Sequence, residues 1–82
     1  MAAVLRFDGL RVVIYPNDDR PANVHVKGKG CEAVFLLHCP EGPPELRESY
    51  GFGRVDLRRI EGRLDEALMQ LRGEWERRHG DH

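Results

Sequence analysis

The 82-residue chain predicts an α+β domain: a short antiparallel sheet of four to five strands, followed by one long C-terminal amphipathic helix. Three features predict it. Asp8-Gly9 sits between two apolar stretches, and that pair marks a two-residue hairpin because both turn positions need positive φ. Up to Leu37 the apolar residues come in short runs bounded by Gly, Pro, Asn and Asp, as strands do. Beyond Gly53 the period changes: Leu57, Ile60, Leu64, Ala67, Leu68, Leu71 and Trp75 fall in an arc of roughly 100° on a helical wheel.

Residues 3–7 and 10–15 read as the first two strands. Residues 16–23 are polar and bounded by Pro16 and Pro21, so they read as a loop. Val24 to Lys27 is a short strand, and Gly28-Lys29-Gly30 turns it into a longer one over about residues 31–38. Cys39 to Pro44 forms a second loop with three prolines, and a short fifth strand follows near 45–48. The helix runs from Arg54 to about Arg78, capped by Gly53, with Asp56 suited to the positive end of its dipole. Gly62 and Gly73 each weaken it by about 1 kcal/mol relative to Ala. Tyr50 and Phe52 are expected to pack on its first turns as a staple. The whole is one domain, 1–82, with sheet over about 3–48 and helix over about 54–78.

Composition sets limits on function. Hydrophobic residues make up 40% and charged residues 33%, which is globular rather than disordered. The 13 Lys and Arg against 14 Asp and Glu give a formal net charge of −1, without the basic excess of most nucleic-acid binders. Cys31 and Cys39 on one extended strand would stand about 26 Å apart, too far for a disulfide, and free thiols fit a reducing compartment. The start of the chain has no charged-then-apolar leader pattern, and no run approaches a membrane span. A cytoplasmic location is expected, and no cofactor is implied.

Two strands are apolar on both faces. Leu10, Val12 and Ile14 oppose Val13 and Tyr15; Ala33, Phe35 and Leu37 oppose Val34 and Leu36. One helix covers one face only, and monomers seldom leave several hundred Å² of apolar sheet in water. Either a protein partner covers the second face, as a homodimer or a second small subunit, or the chain's own terminus or loop folds over it. On the partner reading, Val13, Tyr15, Val34 and Leu36 make the contact.

Chemistry has fewer candidates. Asp18, Asp19, Asn23 and His25 lie within eight residues, a set that could hold a divalent metal or work as a general acid and base; an Asx-rich turn is the structural alternative. Arg59, Arg63 and Arg77 share a sector of the wheel and could meet phosphates, although Asp56, Glu66 and Glu74 flank them. His38-Cys39 diverge on a strand and make no nucleophile–base pair.

A family resemblance rests on ordered segments. These are Val4-Leu5-Arg6-Phe7-Asp8-Gly9, Val13-Ile14-Tyr15-Pro16-Asn17-Asp18, Arg20-Pro21, Val24-His25-Val26, Glu32-Ala33-Val34-Phe35, Glu45-Leu46-Arg47-Glu48, Tyr50-Gly51-Phe52, Trp75-Glu76-Arg77 and His79-Gly80. They resemble a bacterial domain-of-unknown-function family, numbered 4160 in that series, over nearly the whole chain. The resemblance implies a short stand-alone protein encoded beside a second small protein, in an arrangement like toxin–antitoxin pairs, with no established activity. The typical family loop reads His-Arg-Pro-Pro-His-Val-His-Val. Here only the last histidine, His25, is kept: Asp19 and Asn23 stand at the other two positions, and Ala22 replaces a proline.

Three functional expectations follow. The first is a small protein-interaction module, one half of a toxin–antitoxin-like or stress-related two-gene system. The second is a nucleic-acid-associated regulator or nuclease-like toxin using Arg59, Arg63 and Arg77. The third is a metal-dependent enzyme built on Asp18, Asp19 and His25.

Overall fold

The computed structural model describes residues 3–15, 22–38 and 42–79. Five strands, β1 (Leu5–Phe7), β2 (Leu10–Val13), β3 (Asn23–Gly28), β4 (Cys31–Leu36) and β5 (Glu45–Tyr50), form one antiparallel meander in sequence order. Two helices follow, α1 (Arg54–Glu66) and α2 (Leu68–His79). The α+β class is therefore as the sequence predicts.

The two tight hairpins follow from local chemistry. Phe7 pairs with Leu10, and Asp8 and Gly9 take φ of 51° and 77°. Gly28 pairs with Cys31, and Lys29 and Gly30 take φ of 54° and 75°. Both are two-residue turns with consecutive positive φ, whose twist matches that of the flanking strands. The β5 strand runs two residues further than expected, to Tyr50, with a register irregularity opposite Val34 and Phe35 that leaves Arg47 without a cross-strand partner.

The expectation of one long helix is corrected. The helix is interrupted at Ala67, whose φ and ψ are −102° and 16°. The Ala67 N–H is shared between the carbonyls of Arg63 and Leu64, at 3.2 and 3.1 Å. Neither Gly62 nor Gly73 marks the break. Ile60, Leu64, Leu68 and Leu71 stay buried across it, so packing on the sheet places the interruption, not a weak residue. At the other end Gly53 N–H donates to Asp56 Oδ2 at 3.4 Å, half of a capping box. Phe52 and Leu57 pack against the core as the staple, but Tyr50 does not: it is 64% exposed.

The core lies between one sheet face and the helices. The sheet contributes Phe7, Leu10, Val12, Ile14, Val24, Val26, Ala33, Phe35 and Leu37; α1 and α2 contribute Ile60, Leu64, Leu68 and Leu71. Among the described residues no helix lies on the opposite face, and the site is there.

Candidate functional site

Residues paired across strands share a sheet face. On the uncovered face, one row therefore runs Arg6, Arg11, Lys27, Glu32 and Tyr50 from β1 to β5. The next row runs Val13, His25, Val34 and Glu48. The apolar residues of β2 and β4 are thus separated by the polar residues of β3, which inward-facing Val24 and Val26 flank.

Tyr15, just beyond β2, reaches across this face. Its ring meets His25 edge-on, with centroids 4.4 Å apart and planes at 74°. Its hydroxyl accepts a hydrogen bond from Lys27 Nζ. That bond holds the lysine above its ordinary pKa of 10.5, against the opposing cost of desolvation, with the Glu32 carboxylate adding to the same effect. On the other side of His25, Nδ1 donates to Glu32 Oε2 at 3.1 Å. Four side chains from three strand segments thus form a connected layer, Glu32–His25–Tyr15–Lys27, over the middle of the face.

This layer changes the expected area balance. Val13 faces His25 across the ladder and is only 3% exposed, yet it stands apart from the main core cluster. Tyr15, Val34 and Leu36 are half-buried. The large exposed apolar side chains among the described residues are Leu46, Tyr50, Val55 and Met69, none of them from the anticipated quartet. The second face is a mixed polar and apolar surface rather than a bare greasy one.

The other candidates fare differently. Asp18 and Asp19 lie outside the described residues. His25 finds its carboxylate at Glu32, and no group of three His, Cys, Asp or Glu able to hold a metal occurs among the described residues. The three helix arginines do not act as a strip. Arg63 stacks over the Phe7 ring at 5.2 Å, Arg77 pairs with Glu74 at 3.0 Å, and Arg59 lines a small cavity with Asp8 and Asp56. The break at Ala67 also puts Arg77 on a different helix from the other two. Cys31 is a free thiol, and Cys39 lies outside the described residues.

The pairing of β3 with β4 had one signal in the sequence. A two-residue turn at Lys29-Gly30 fixes the β3–β4 register, and it places His25 opposite Val34 and Lys27 opposite Glu32. Reading Gly28-Lys29-Gly30 as an undivided turn left that register open.

No helix among the described residues is long and apolar enough to cross a membrane. Comparison with protein-family models, with curated proteins and with solved structures gives no match.

Proposed function

We propose that this chain is a small cytoplasmic protein-interaction module that binds a second small subunit through the uncovered sheet face. The carrying observation is the composition of that face: half-buried Tyr15, Val34 and Leu36 interleaved with His25, Lys27 and Glu32. Such a mixture of apolar and charged side chains is typical of non-obligate interfaces, which are only about as apolar as the rest of a protein surface. Val13, buried beneath, supports the layer rather than touching a partner. Glu45 and Glu48 edge the face on the β5 side, so the matching partner surface is apolar and bordered by basic residues. Placement in a toxin–antitoxin-like or stress-related gene pair rests on the resemblance to family 4160 alone.

The test is co-expression with the product of the neighbouring gene, followed by sedimentation of the purified chain with and without it. A stable complex that Leu36→Asp abolishes, while Val55→Asp on the exposed helix surface does not, supports the reading. A dimer of this chain with the same sensitivity keeps the interface and replaces the second subunit by a second copy. A monomer with no complex at micromolar concentration removes the proposal.

A further inference from the structure

We infer that the basic end of the uncovered face binds a nucleoside phosphate. The site is a shallow depression of about 390 Å³ around the β3–β4 turn, within the size range of small-ligand pockets. Arg11, Lys27 and Lys29 supply three cations to its wall, and Glu32 and Tyr50 complete it. This ligand goes beyond the protein partner proposed above, although Lys27 and Glu32 belong to both surfaces.

The electrostatics select an anion. Neither Arg11 nor Lys29 has an ion-pair partner among the described residues. Lys27 keeps its proton well into alkaline conditions, because the Tyr15 hydroxyl accepts from it. Three positive charges gathered around one concavity, two of them unneutralised, form a site for phosphate oxygens. The turn adds room: a Cβ placed on Gly30 would meet no atom within 4 Å.

The remaining groups select what carries the phosphate. Arg11, Lys27, Glu32 and Tyr50 stand in one cross-strand row. Three strand spacings separate the first from the last, about 14 Å. Glu32 uses Oε2 on His25, which leaves Oε1 to accept from a ribose hydroxyl or a base amino group. Tyr50 is 64% exposed, and its hydroxyl donates to Glu48 at 3.2 Å, which holds the ring at the rim where a base can stack. Phosphate at the Arg11 end, sugar at Glu32 and base on Tyr50 follow the order of groups along a nucleotide.

Calorimetric titration of the full chain with ADP, pyrophosphate and adenosine at low salt tests this. ADP is expected to bind, and Arg11→Gln or Lys29→Gln to weaken it about tenfold, the loss of one charge-assisted hydrogen bond. Tyr50→Ala is expected to weaken ADP and leave pyrophosphate unchanged, while Arg72→Gln, on the far helix, changes neither. No heat with millimolar ADP overturns the inference. So does ADP binding that both cation variants leave intact, or pyrophosphate binding as tightly as ADP. A short oligonucleotide binding far more tightly than ADP through the same residues overturns it in favour of a polynucleotide. None of these outcomes depends on the co-expression experiment, so the two proposals fail separately.

Discussion

Phe35 and Val34 are neighbours in β4, yet they live in different solvents. Phe35 is fully buried between the sheet and the helices, with Val24 beside it on β3 and Ile60 and Leu64 in the same cluster. Val34 lies on the other side, half-buried, with His25 and Glu48 as its cross-strand neighbours. One face is closed by packing and the other by hydrogen bonds and aromatic contact. The difference teaches that a two-faced apolar strand need not imply a bare second face: polar residues on the strand between can divide the apolar ones.

The sharpest way to break this comparison is to truncate both positions. Phe35→Ala is expected to cost about 3–5 kcal/mol in urea unfolding, through lost burial and a residual cavity. Val34→Ala should cost less than about 1 kcal/mol, because its site is already partly wet. Equal losses would show that the second face is packed like a core and would withdraw it as a binding surface.

An intermediate effect is expected at Gly51, which joins β5 to the helix. Its φ is +89°, and an added Cβ would lie 2.8 Å from Cys31 Sγ. Gly51→Ala combines a left-handed backbone with a clash, and should lower stability by about 1–3 kcal/mol. A thermal midpoint unchanged from the parent would mean that the turn and Cys31 relax freely.

The smallest effect belongs to the polar layer. Tyr15→Phe removes the acceptor for Lys27 and should cost about 1 kcal/mol or less at neutral pH. The sign with pH follows from the lysine, whose folded pKa lies above the ordinary 10.5. Its contribution is complete below that value and is lost as pH climbs through the raised one. The parent should therefore lose its advantage over Tyr15→Phe above pH 10.5. An advantage that is constant across that range would mean the lysine charge plays no part in the layer.

Much of the fold was legible in the chain. Asp8-Gly9 marked a two-residue turn and Gly28-Lys29-Gly30 marked a second turn through backbone sterics, and the leucine spacing after Gly53 dictates helix. The site was less legible. His25 stood out as a titratable residue, but its neighbours in sequence, Asp18 and Asp19, drew attention away from Glu32, which is seven residues downstream yet one strand away. Tyr15 read as an apolar contact residue, whereas its hydroxyl engages Lys27 twelve residues on. Arg59, Arg63 and Arg77 looked alike on a continuous wheel; the structure assigns each a different neighbour.

The sequence alone determined what depends on a few adjacent residues: the turns at Asp8-Gly9 and Gly28-Lys29-Gly30, and the change of hydrophobic period after Gly53. Only the tertiary structure decided which face the helices cover, where the helix is interrupted, and how Tyr15, His25, Lys27 and Glu32 meet. Those outcomes depend on strand register and on the fit of leucines to a twisted sheet, and both are set by contacts between residues distant in the chain.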